Sequence, residues 1–439
     1  MSTSRREFLG NATKSMLIYT SFPAGLAVAG NEYQSDLYSG VIPLCQNMTN
    51  EISAQFTVLT EGKNPYAYRV KDVQGKDLPV RKWDEEHRKD SWYGIDKLIV
   101  EKLQADRLYH LQVIDKDSGT VLDERIFKSL PLNRKKNLRF AIISCSCDFY
   151  HHQNSNMWDH LFAELPEMVF VLGDSCYVDL GSDGSERDLW RRHCETRMTL
   201  AHFRQPRLIP TLATWDDHDY GENNQNKYYS LKTQSQRIFE CFFGSMPVAG
   251  YQKGHGVGSV LTGFGQRFFL MDDRFFRDDP HSGGMMWGSA QQEWLLASLK
   301  ENSKPSWLMN GSQYFSSYVG NESFQKEYMR NLADLTGKLR KTEAPVVFAS
   351  GDVHFSEVLR IEPELLGYRT YEFTSSAMHS LNYPTSWYMR NPRREVHTWK
   401  HNFMIMKSEV LNGGLKTDSY CLGRRGQRLI SHRGTIRRT

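Results

Sequence analysis

Beyond residue 137 the chain repeats one pattern: a short apolar run ends abruptly in a cluster of Asp, His, Cys or Tyr. The runs are "RFAIIS", "MVFVL", "RLIPTLATW", "RFFLM", "SWLMNGS" and "PVVFAS", and helix-length segments at 187–204, 289–301 and 323–340 alternate with them. Apolar runs without polar alternation suit strands covered on both faces, so the pattern predicts an α/β layered domain. In such sheets ligand sites gather beyond the carboxyl ends of the strands. Four runs place reactive side chains there: "FAIISCSCD" presents Cys145, "FVLGDSCYVD" Asp174 and Tyr177, "ATWDDHDYG" Asp217 and His218, and "VVFASGDVHFSE" Asp352 and His354. Singly, each has an ordinary explanation: a helix cap for Asp174, a loop histidine for His218, a packing ring for Tyr177, an inert buried thiol for Cys145. Four coincidences at strand ends point instead to one convergent site.

The segment "TWDDHDYGENN", 214–224, sharpens the point, because it sets three aspartates and a histidine at 216–219 directly after an apolar run. Desolvating neighbouring carboxylates without partners costs several kcal/mol each. A cation offsets that cost. Carboxylates are hard donors for Ca, Mg, Mn or ferric iron, and imidazole suits Zn or Fe. A phenol with an ordinary pKa of about 10 becomes a ligand only beside a strongly acidic cation, which favours Fe(III). Asp219 is expected to accept a proton from His218 and fix its tautomer. Arg274 and Arg277, following the "RFFLM" run, are placed to grip phosphate bidentately, or to pair with Asp272 or Asp278. Asn310 and Gln313 sit at a further strand end and are expected to line the pocket.

Residues 1–29 resemble a twin-arginine export signal: Arg5 and Arg6, then Phe8 and Leu9, then a mostly apolar stretch ending in Ala27-Val28-Ala29. That implies the twin-arginine machinery as a partner, a periplasmic or secreted destination, and no transmembrane segment in the mature chain. From 40 to 131, β-type runs such as "ISAQFTVL", "DKLIVEKL" and "RLYHLQVID" read as an accessory immunoglobulin- or fibronectin-like β-sandwich. Seven cysteines, an odd number without regular spacing, argue against a disulfide framework. Residues 413–439 read as a basic tail, since 416–439 hold seven Lys/Arg against Asp418. Such a segment is expected to be a solvated, mobile end, or a cationic flap drawn to an anionic substrate or envelope polymer.

Together, "GD" at 173–174, "DDHD" at 216–219 and "GDVH" at 351–354 resemble the metallophosphoesterase signature of the alkaline phosphatase D (PhoD-like) family. "SC" at 144–145, "LMDDRFFRD" at 270–278, "QEWL" at 292–295 and "NGSQ" at 310–313 add to the likeness, in the family's order. The resemblance implies a layered β-sandwich flanked by helices over 137–412, hydrolysing phosphate mono- or diesters, with nucleic acid only as a possible substrate. By the same resemblance Asp174 bridges two metals. Cys145, Tyr177, Asp352 and His354 complete a ferric site, and Asp217 holds a second divalent ion, calcium. His218 faces the substrate, stabilising the transition state or protonating the leaving oxygen. Asn224 departs from the family, where many relatives carry an acid, and Cys147 and Cys176 are extra thiols beside the site. Rival readings are a phosphodiesterase or phospholipase-like hydrolase of the same fold, a non-catalytic metal-containing surface binder, and a mononuclear iron oxygenase.

Overall fold

Six strands form the first large sheet, in the order Thr211–Thr214, Met168–Leu172, Asn137–Ile143, Asn402–Leu411, Gly414–Gly423 and Arg428–Arg437. The first three run parallel and the last three antiparallel. An eight-stranded mixed sheet lies against it, built around Gln266–Leu270, Ser306–Met309, Val346–Ser350 and Thr370–Thr374. Phe140 and Phe170 of the first sheet pack on Phe268 and Trp307 of the second at centroid distances of 5.1–5.7 Å. The Ser375 hydroxyl also donates to the Ile142 carbonyl at 2.8 Å, tying the two layers together. Helices Glu186–Thr199, Lys232–Phe243, Gly288–Lys300 and Met329–Leu339 accompany them. The unbroken burial of "MVFVL" and "VVFAS" follows from strands covered on both faces.

The computed structural model describes residues 42–62 and 66–438; the expected export signal at 1–29 lies outside the described residues. No helix among the described residues is long and apolar enough to cross a membrane. Residues from Leu44 to Lys128 form two four-stranded antiparallel sheets around Phe56, Val58, Leu98, Leu111 and Phe127. Gly40–Thr439 is one compact unit. The buried Arg125 guanidinium shows the coupling, pairing with Asp123 and donating to the Gln205 carbonyl at 2.6 Å. All seven cysteines are buried, and none is in a disulfide.

The expected basic tail is corrected by the fold. Residues 414–437 are two strands that extend the first sheet, with Leu415, Cys421 and Ile436 buried between exposed Lys and Arg. A charge count misses this because edge strands carry their cations on the solvent side, where they also blunt edge pairing.

Beside the strand ends, His379 is fully buried, set by the Trp158 indole N–H donating to its Nε2 at 3.0 Å and by Nδ1 on the Cys147 carbonyl at 2.9 Å. Burial pushes its pKa down to about 3. The unfolded chain therefore takes up this proton first, so the contribution is intact above pH ~6.5 and is lost as pH falls towards 3. In urea unfolding between pH 4 and 6, His379→Gln is expected to lower the pH slope of stability by one proton, about 1.4 kcal/mol per pH unit; equal slopes refute the assignment.

Candidate metal centre

Four loops meet where the parallel strands end. At Gly173, with φ of 81°, a Cβ would stand 2.4 Å from the Asp216 Cβ; at Gly351 it would stand 2.2 Å from the Leu172 carbonyl oxygen. Glycine at both "GD" steps is thus required by close approach of the chains. The following residues are unusual in another way. Cys145, Asp174, Asp352 and His354 have φ of 55°, 53°, 64° and 59°, in the left-handed region that costs non-glycine residues about 1–3 kcal/mol each. Four of the expected ligands are held in this conformation, at the expense of local stability.

Donor atoms of Cys145, Asp174 and His354 lie within 4.8 Å of one another, and those of Asp174, Asp217 and His218 do likewise. Asp174 is common to both groups. Its Oδ2 accepts from the Cys145 thiol at 3.3 Å and the Tyr177 hydroxyl at 3.4 Å, while its Oδ1 is buried without a hydrogen-bond partner. The Asp352 carboxylate is in neither group; its main-chain carbonyl accepts from the Cys145 thiol at 3.3 Å. Burial, reinforced by neighbouring acids, raises Asp174, Cys145 and Tyr177 well above their ordinary ranges and pushes Asp352 up to about 8. Burial, with His218 adding, pushes His354 down to about 4, leaving a neutral imidazole able to bind a cation. An orphaned carboxylate oxygen and a thiol and phenol kept protonated by burial and by crowded negative charge are what a donor set presents before its cation. The residues fit a metal pair.

His218 is half-buried, with Nδ1 at 2.8 and 2.9 Å from the two oxygens of Asp179. The expected Asp219 partner is therefore corrected: Asp219 accepts from the Ser175 hydroxyl and the Cys176 N–H, at 2.6 and 2.9 Å. Asp179 closes the "GDSCYVD" loop and went unnoticed because only tertiary folding brings it to the histidine. Burial opposes charge on His218, but Asp217, Asp174 and Asp179 outweigh it and push the pKa up to about 10. Its ring packs on Tyr177 at 4.3 Å between centroids.

The residues expected to bind substrate are held by internal partners. Arg274 is fully buried, ion-paired with Asp216 and, at 2.8 Å, with Glu322; its Nη2 stands 3.9 Å from Asp217. Arg277, also buried, pairs with Glu322 and Glu327. Neither Asp272 nor Asp278 is the partner in these pairs; Lys227 pairs with Asp278. Asn310 accepts from the Trp287 indole at 3.0 Å and donates to Asp273 and the Ser312 carbonyl, and Gln313 donates to Glu357 and Thr374. With their polar atoms committed inside the protein, Arg277 and Asn310 act as supports, and Arg274 holds the Asp216-Asp217 segment in place. Asn224 meets the site only through its main-chain N–H, 2.8 Å from Asp217 Oδ2. Cys147 and Cys176 belong to neither donor group; the Cys176 thiol pairs with Thr196 at 3.3 Å.

Ser376, Ser380 and Tyr383 were missed. The Ser376 hydroxyl donates to the Cys145 sulfur at 3.1 Å, the Ser380 hydroxyl meets His354 Nδ1 at 3.3 Å, and the Tyr383 ring stacks on His354 at 5.0 Å. For the two serines the signal was available: "YEFTSSAMHS" is another apolar run discharging into polar residues. A third acidic group, Glu85, His87 and Asp96 in the N-terminal sheets, has a different character, because Lys82 bonds both acids and Tyr68 donates to Asp96 at 2.6 Å.

Two packed mixed sheets with carboxylate, imidazole, thiol and phenol donors at their strand ends define a layered α/β protein with a dinuclear-type donor cluster. Comparison with known proteins makes this more particular. A profile described as PhoD-like phosphatase matches residues 140–412, and the chain belongs to that family, one of phosphoric ester hydrolases. It is 23% identical to alkaline phosphatase D of Bacillus subtilis (strain 168) over 231 residues, 43% of this chain and 39% of that protein. A solved structure of PhoD matches with a TM-score of 0.68 at 15% identity, covering 92% of this chain and 94% of the other. The match supports the α+β architecture.

Proposed function

We propose that the protein is an exported, metal-dependent hydrolase of phosphoric esters, in which Cys145, Asp174, Tyr177, Asp352 and His354 hold Fe(III) and Asp174 and Asp217 hold a divalent ion such as Ca. The observation that carries the reading is the position of Asp174, shared by both donor groups with one buried oxygen unpartnered. When bound, the metals supply Lewis acidity at phosphorus and an activated water, so no protein nucleophile is required. The chain's own residues do the rest. Asp179 fixes His218 through Nδ1, which leaves Nε2 to address the ester. The Asp179 carboxylate favours a proton on the imidazole, which can then deliver it to the leaving oxygen. Arg274 compensates Asp216 and steadies the turn bearing Asp217 and His218. The N-terminal sheets, whose kinship is read as immunoglobulin-like, serve as an accessory unit.

Metal analysis combined with an optical spectrum tests this. The purified protein is expected to contain iron and a second metal and to be coloured by Fe(III)–phenolate charge transfer from Tyr177. A colourless, iron-free preparation that hydrolyses a chromogenic phosphate ester would remove Tyr177 from the ligand set; bound metal without any ester hydrolysis would favour the surface-binding reading.

A further inference from the structure

Two loops that carry metal donors, and the loop at 375–393 packed beside them, also carry apolar side chains facing water. Phe149, Leu180, Leu381, Tyr383, Trp387 and Tyr388 are all exposed, Trp387 by 66% and Tyr388 by 82%. Scattered exposed apolar residues are ordinary, but these six share three adjoining loops. The His379 and Ser380 N–H groups donate to the Cys145 carbonyl at 3.3 and 3.1 Å, joining the loop of Leu381 to that of Phe149. Phe149 in turn reaches Gly181, where a Cβ would meet its ring at 3.4 Å. Tyr383 links the group to the site itself by stacking on His354.

Arginines converge on the same end. Ile142 pairs with Met404 and Met404 with Cys421, so the turn after Gly423 opens at the level of Cys145. That turn holds exposed Arg424 and Arg425, with Arg428 just beyond, and it is seated by Arg424 donating to the Gln153 carbonyl at 2.7 Å. Arg390, two residues after Tyr388, is also exposed. Nearby acids are engaged: Asp179 by His218, Asp188 by Arg191 and Glu186 by Arg88. Tryptophan and tyrosine beside arginine is the composition that settles at a bilayer interface, rings at headgroup depth and cations on anionic lipids. A single small leaving group would touch only part of a rim spread over three loops and a hairpin turn.

We infer that this rim docks the protein on an anionic phospholipid surface and presents headgroup phosphodiesters to the donor cluster; the second half rests on the hydrolase reading above. The test is sedimentation of the full chain with vesicles of phosphatidylcholine alone or mixed with phosphatidylglycerol, alongside hydrolysis of bis(p-nitrophenyl) phosphate in solution. Binding is expected on mixed vesicles and to weaken with salt. Arg424→Ser with Arg425→Ser should reduce partitioning about thirtyfold. Trp387→Ala with Tyr388→Ala should reduce it about tenfold while hydrolysis of the soluble diester is unchanged. Equal binding to both vesicle types, binding insensitive to the aromatic pair, or retention only on a single-stranded oligonucleotide overturns the inference. Vesicle binding by a chain that hydrolyses neither a soluble diester nor p-nitrophenyl phosphate upholds docking and sinks the hydrolase reading, and hydrolysis of the monoester alone sinks the presentation of headgroup diesters.

Discussion

Asp174→Asn is expected to remove bound metal and ester hydrolysis together, lowering kcat/KM by more than about a thousandfold, roughly 4 kcal/mol of transition-state stabilisation. Asn keeps the shape of the side chain and discards the negative charge that both donor groups share. Stability should move the other way. Burial already holds this carboxyl well above the usual range, so in metal-free protein the neutral amide removes a desolvation cost, and the variant should melt no lower than the metal-free parent. Metal quantification, chromogenic assay and thermal melting of both proteins with and without chelator check the whole set. Hydrolysis at the parental rate by Asp174→Asn would end the dinuclear reading.

His218→Gln separates the proton donor from the metal site. Metal content is expected to be retained, while kcat falls by about 10² to 10⁴, the range of general acid catalysis. The loss should be smallest with p-nitrophenolate, which leaves without help, and largest with an alkyl alcohol, which does not. Asp179→Asn removes the group that orients the imidazole and should cost about 10- to 100-fold with the same leaving-group trend. A loss independent of leaving group, or a His218→Gln protein stripped of metal, would make His218 a ligand rather than an acid, a role its membership of the second donor group also permits.

The ligand candidates were legible because their cause is local. Each follows an apolar run, and strand ends are where α/β sheets gather chemistry, so Cys145, Asp174, Asp217 and His354 could be named from their flanks and are found in two groups that share Asp174. Arg274, Arg277 and Asn310 carried the same kind of flank, yet the fold engages them with internal partners. Nothing adjacent to them reveals that Glu322, Glu327 and Asp273 wait inside the protein to consume their hydrogen bonds. Asp179 and Tyr383 failed in the opposite direction: near a motif in the chain, but given their roles only by folding. The C-terminal strands were obscured by their own arginines, since net charge says nothing about alternation.

By itself, then, the sequence determined which segments are buried strands and which side chains stand at their ends, because burial and periodicity act over a few neighbouring residues. Tertiary structure alone decided which of those side chains are spent on internal partners and which stay unsatisfied around a common point. Hydrogen-bond and charge satisfaction is settled between residues tens to hundreds apart in the chain, and only the packed sheets set those distances.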